Sequence, residues 1–114
     1  MQKILNAILQ IEHVNGALFI NPDGSVACSR FSTPVSRPPE DFAWIGLIEQ
    51  FSGFREADVT FTDLRLYLRL TDNGCLVALL EPYAVIAMIR LQCDVLLSTV
   101  KKSKSHGLRR FFKK

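Results

Sequence analysis

Two turn signals constrain this chain most: Asn21-Pro22-Asp23-Gly24-Ser25 and Asp72-Asn73-Gly74, each set between two apolar runs. Glycine after Asp or Asn accepts the positive φ that a tight turn between antiparallel strands requires. Each signal therefore lays two strands side by side, Ala17–Ile20 with Val26–Phe31 and Leu64–Leu70 with Cys75–Leu80. In Leu64–Leu70 four leucines alternate with Arg65, Tyr67 and Arg69, the period of a strand with one apolar face. Cys75–Leu80 is apolar almost throughout, as a central strand should be.

Three segments of helical period surround these hairpins. Gln2–Val14 carries Ile4, Leu5, Ile8, Leu9 and Ile11 on one broad face, with Asn15-Gly16 as its expected stop. Three prolines make residues 32–39 a loop, and the acids Glu40 and Asp41 suit the start of a second helix, Glu40–Ser52. Trp44, Leu47, Ile48 and Phe51 form its stripe, but Phe42 and Ile45 widen the apolar surface beyond it. A helix apolar on more than one side is buried on more than one side, and a domain this small has one core to offer. The second side points to a subunit interface. After Gly53, Ala57, Val59 and Phe61 alternate with Asp58 and Thr60 as a half-exposed strand.

The third helix is expected over Tyr83–Val100, opened by Pro82. Ile89, Cys93, Leu96 and Val100 make its inner stripe, with Val85, Ile86 and Leu97 alongside, and Arg90, Asp94 and Ser98 facing away. The fold class is therefore α+β: a five-stranded antiparallel sheet with three helices, in the order αββαβββα.

Residues 1–100 make one domain and residues 101–114 a basic tail. The overall charge of +3 hides this division. The first hundred residues hold seven Lys and Arg against all eleven acids, and the last fourteen hold seven basic groups and no acid. A pI near 8.9 thus belongs to the tail. Three readings of it stand: a solvated extension, an anionic-membrane contact through Lys101, Lys102, Lys104, Arg109, Arg110, Phe111, Phe112, Lys113 and Lys114, or a phosphate contact to nucleic acid. The adjacent aromatics rank membrane above nucleic acid, which lacks base-reading elements here.

The chain offers little material for catalysis. Its glycines form no phosphate-cradling motif, and His13 and His106 are its only histidines, so neither a metal site nor a triad is expected. No cofactor is expected, and His13 reads as a solvated helix end. Cys28, Cys75 and Cys93 sit in apolar runs without a Cys-x-x-Cys pair and read as small buried hydrophobes of a reducing compartment. No signal peptide or membrane span is evident, so a cytoplasmic chain is expected, membrane-peripheral if the tail binds lipid.

The element order and several residues resemble the roadblock family of dynein light chains and their bacterial and archaeal relatives, within a roadblock/profilin-like layout that longin-like domains also share. The matching features are an opening helix ending Val14-Asn15-Gly16-Ala17, a strand-turn-strand centred on Asp23-Gly24, a long middle helix, and the strand block Asp58–Leu80 before a final helix. The resemblance implies no catalysis. It implies a homodimer, or a heterodimer with a similar domain, formed by the third strand and middle helix, acting as scaffold or regulator of a small Ras-like GTPase or of a motor or signalling complex. Mapped here, the seam comprises Phe42, Trp44, Ile45, Leu47, Ile48, Phe51, Ala57, Val59 and Phe61. Period alone does not divide these between core and mate. The alternative is a membrane-peripheral or ligand-sensing module acting through its basic-aromatic tail.

Overall fold

The structure, a computed structural model, describes residues 1–32, 42–51, 53–62 and 64–98. Along it run α1 (Gln2–Leu9), β1 (Val14–Ile20), β2 (Val26–Phe31), α2 (Trp44–Gln50), β3 (Glu56–Thr60), β4 (Arg65–Thr71) and β5 (Gly74–Leu80). A last helix, α3, covers residues 86–98. The five strands form one antiparallel sheet in the order β2-β1-β5-β4-β3, and the expected αββαβββα order is the observed one.

The central strand explains the layering. Every residue of β5 from Cys75 to Leu80 is buried, so both faces of the sheet need cover. Leu76, Ala78 and Leu80, with Ala17 and Phe19, meet Ile4, Leu5 and Ile8 of α1 and Ile89 and Cys93 of α3. Cys75, Val77 and Leu79, with Leu18, Ile20, Leu66 and Leu68, meet Trp44 and Leu47 of α2. Fully burying one such aliphatic side chain contributes about 1.5–3 kcal/mol.

Both turns behave as their glycines require. Gly24 has φ +92°, and a Cβ there would come within 2.7 Å of the Ile45 Cβ, so the first turn rests on α2. Asp23 Oδ1 accepts the Ser25 backbone N–H (2.9 Å) and hydroxyl (2.6 Å). The bond from the Ser25 hydroxyl, then that from its N–H, holds the Asp23 carboxyl below its ordinary range. Gly74 has φ +150° and lies so close to the end of β1 that a Cβ would overlap the Ile20 carbonyl oxygen and crowd the Phe19 ring.

Several boundaries differ from the expectation. α1 stops at Leu9 rather than Val14, and Val14, Asn15 and Gly16 belong to β1. Strand pairing explains the change: Val14 pairs with Leu80 and Gly16 with Phe31, contacts that a further helical turn would forfeit. Gly16 is needed because a Cβ there would lie 2.7 Å from the Phe31 ring. The left-handed residue is His13 instead, at φ 71°. Nor is His13 a solvated helix end. Its carbonyl accepts the Glu81 N–H (2.9 Å), its Nδ1 lies 2.7 Å from Glu81 Oε2, and its ring meets Tyr83 edge-on at 4.8 Å. Phe42 and Ala43 precede α2, while Glu40, Asp41 and Ser52 lie outside the described residues. Phe61 falls just beyond β3.

The polar half of β4 departs furthest from the alternation rule. Arg65, Tyr67 and Arg69 point to the α3 side, yet Tyr67 and Arg69 are 2% and 4% exposed. Opposite them on β3 stand Glu56 and Asp58, by a register that pairs Glu56 with Arg69 and Asp58 with Tyr67. The Tyr67 hydroxyl donates to Glu56 Oε2 (2.6 Å), and Arg69 Nη1 donates to the Tyr67 oxygen (3.1 Å). Burial, then the bond to Glu56, pushes the Tyr67 phenol well above its ordinary value. From α3, Asp94 pairs with Arg69, and Arg90 Nε lies 2.5 Å from Glu56 Oε1. Arg65 grips Asp58 through two bonds of 3.0 and 3.1 Å and caps the Pro82 and Ala84 carbonyls. Arg90 and Asp94 therefore turn toward the sheet rather than away from it. The outward side of α3 is taken by Met88, Leu91 and Val95, each more than half exposed.

These contacts set the expected outcome of three substitutions. Gly74→Ala strains a positive φ and drives a methyl into the Ile20 carbonyl, so urea unfolding should show a loss of about 2 kcal/mol or more. Arg69→Ala strands Asp94 and takes one of three partners from Glu56, which keeps Tyr67 and Arg90. A fully buried pair broken this way costs about 3–5 kcal/mol, but Glu56 and Asp94 are partly open to water, so about 2 kcal/mol is expected. The hydrogen bond from Arg69 holds the Asp94 carboxyl below its ordinary range. A depressed folded-state pKa stabilises fully above the unfolded-state value, and that stabilisation fades as pH falls through the depressed one. Asp94→Asn should accordingly flatten the acid limb of a stability-against-pH curve.

Candidate interaction surface

The sheet has two edges, and they are not equivalent. β2, at one edge, is bulged against β1: Phe19 pairs with Cys28 but Ile20 pairs with Val26, leaving Ala27 unmatched. A bulge twists an edge and spoils it for further pairing. β3, at the other edge, runs in unbroken register with β4 from Glu56 to Thr60 and has no second neighbour among the described residues. Its outer N–H and C=O groups present a straight template for another strand.

On the α2 side of that edge the cover is thin. α2 has seven residues, about 10 Å of helix, whereas five strands span about 19 Å across the sheet. The opposite face receives two helices. The nine residues mapped to the seam divide accordingly. Trp44 and Leu47 are buried in the chain's own core, at 6% and 8% exposure. Phe42, Ile48, Phe51, Ala57 and Val59 are half-buried, packed against the cluster beneath α2. Ile45 and Phe61 are exposed, at 39% and 41%. Phe42 ties the two ends of the segment together, its ring 4.5 Å from Trp44 and edge-on to Phe61 at 6.0 Å.

Phe54, in the connection from α2 to β3, is 63% exposed and was not among the residues mapped from the sequence. Its place two residues before Glu56 was the available signal. The tail residues Lys101, Lys102, Lys104, Arg109, Arg110, Phe111, Phe112, Lys113 and Lys114 lie outside the described residues.

Elsewhere, several ionisable groups are committed to structural pairs. Two open clefts of about 420 and 630 Å³ flank the β3–β4 pair. In the first, Arg65 is committed to Asp58 and two carbonyls; in the second, Arg69 and Asp94 hold each other. Among the described residues no three His, Cys, Asp or Glu side chains gather as a metal site would need. Burial pushes the Cys75 and Cys93 thiols up to about 12 and about 11, far from the thiolate that nucleophilic work requires. No described helix is long and apolar enough to cross a membrane.

This architecture is that of the roadblock/LC7 domain. The chain superposes on the crystal structure of a Roadblock/LC7 domain from Streptomyces avermitilis with a TM-score of 0.66 at 16% identity, covering 92% of this chain and 98% of that one. It superposes on MglC from Myxococcus xanthus with a TM-score of 0.62, also at 16% identity, over 90% of this chain and 97% of that one. No protein-family model matches the sequence, and no curated protein matches it significantly. The roadblock resemblance read from the residues thus holds at the level of the fold.

Thiol labelling checks the burial assignments. Under native conditions the half-buried Cys28 should react with an alkylating reagent, while Cys75 and Cys93 should react only as the protein unfolds. Rapid native modification of all three would contradict the packing described.

Proposed function

We propose that this chain is a non-catalytic, dimeric interaction module that regulates or scaffolds a small Ras-like GTPase or a motor or signalling complex. The observation that carries the reading is the unbulged β3 edge, flanked by the exposed Ile45, Phe54 and Phe61 and roofed by one short helix. A second copy supplies what that edge lacks. Antiparallel pairing of β3 with its counterpart joins two five-stranded sheets, and each copy's α2 extends the layer above its mate. The GTPase belongs to the proposal through the roadblock likeness alone; nothing in the described residues selects one such partner over another.

In sedimentation at micromolar concentration the chain should run as a dimer. Ile45→Asp and Phe61→Asp alter exposed positions and should yield folded monomers with unchanged circular dichroism, whereas Trp44→Asp, at a buried position, should unfold the chain. A monomeric wild type would sink the dimer. Capture of a Ras-like GTPase from a panel loaded with GTP or GDP, lost in the monomeric variants, would support the regulatory role; no capture in either nucleotide state would remove it.

A further inference from the structure

The outward side of α3 carries large apolar side chains where a solvated helix would carry charge. Met88 and Leu91 are 57% and 58% exposed, and Val85 and Tyr83, just before the helix, are 57% and 67% exposed. The charges that might have masked them are spent on the sheet, Arg90 on Glu56 and Asp94 on Arg69. Apolar side chains gathered this way mark a contact surface.

The chain's charge distribution identifies the kind of surface it fits. The last described turn of α3 ends at Ser98, and the sequence continues from there into a segment with seven Lys and Arg, no acid, and the pair Phe111-Phe112. The rest of the chain is net acidic, by eleven acids to seven bases. An apolar stripe that leads in sequence into a basic, aromatic segment combines the two signals that hold a protein at an anionic bilayer: insertion at the headgroup boundary and attraction of Lys and Arg to acidic lipid. Nucleic acid would engage the bases and leave the stripe without a role.

Symmetry adds a third argument, which rests on the proposed dimer. Antiparallel pairing of two identical edge strands places the two-fold axis perpendicular to the sheet, so both α3 helices lie on one side and both α2 helices on the other. Two stripes facing the same way suit a flat partner, which can engage both at once.

We infer that the outer face of α3, formed by Met88 and Leu91 with Val85 and Tyr83, acts with the basic segment 101–114 to dock the protein on anionic lipid membrane. The full chain is tested by flotation with phosphatidylcholine vesicles that contain or lack phosphatidylserine. It should float with the anionic vesicles only, and less at high salt. Leu91→Glu should lower the bound fraction about tenfold, and the uncharged Leu91→Gln should lower it by less but measurably, both with wild-type circular dichroism and sedimentation. Failure to float with anionic vesicles overturns the inference, as does flotation indifferent to both substitutions. A chain that binds duplex DNA with no vesicle binding also overturns it. The dimer is judged apart. A monomeric wild type that floats and loses flotation in Leu91→Glu supports the lipid surface while removing the dimer; a dimer that does not float does the reverse.

Discussion

A strand buried on both faces cannot exist without two layers of cover, and β5 imposes that requirement on everything around it. From Cys75 to Leu80 its side chains alternate between two clusters, one closed by α1 and α3 and the other by α2. β1 and β4 flank it and inherit the same demand, which is why Leu18 and Ile20 serve one cluster while Ala17 and Phe19 serve the other. The asymmetry of the molecule begins here: two helices answer on one side and a single seven-residue helix on the other. The thin side adjoins the clean edge, and the two shortages coincide at β3.

The face beneath α3 meets its demand differently. Arg65, Tyr67 and Arg69 stand where apolar side chains would be expected, and their cost of burial is offset by Glu56, Asp58, Asp94 and two carbonyls. Among the described residues no buried side-chain nitrogen or oxygen lacks a partner. A polar layer of this kind specifies position as well as energy, because its bonds have direction. Shifting α3 along the sheet would separate both Asp94 from Arg69 and Arg90 from Glu56.

Much of the fold was legible in the residues, for reasons that differ by element. Gly24 and Gly74 marked both hairpins because their positive φ values are needed in the folded chain, and the leucine alternation placed β4. The helices were less legible. Gln2–Val14 keeps helical period past Leu9, but strand pairing at Val14 and Gly16 outweighs local preference. The outer face of α3 was misread because Arg90 and Asp94 look solvent-bound to any rule that equates charge with exposure. Their partners, Glu56 and Arg69, lie more than twenty residues away in sequence, beyond the reach of periodicity. At the candidate surface, the width of the apolar face on the middle segment was visible. The division of Trp44 and Leu47 from Ile45 and Phe61 was not, since it depends on where the sheet ends.

The bulge in β2 has a consequence for assembly. A sheet with two competent edges can take on neighbours at either end, and each addition regenerates the edge it consumed, so growth has no natural stop. Here the register slips between Phe19 and Ile20, opposite Ala27, and that margin cannot mirror the straight margin at β3. Head-to-tail stacking of one copy's β3 on the next copy's β2 is disfavoured, and a filament with it. The straight β3 margin can still meet a second β3, and with β2 spoiled for pairing that reaction ends after one step.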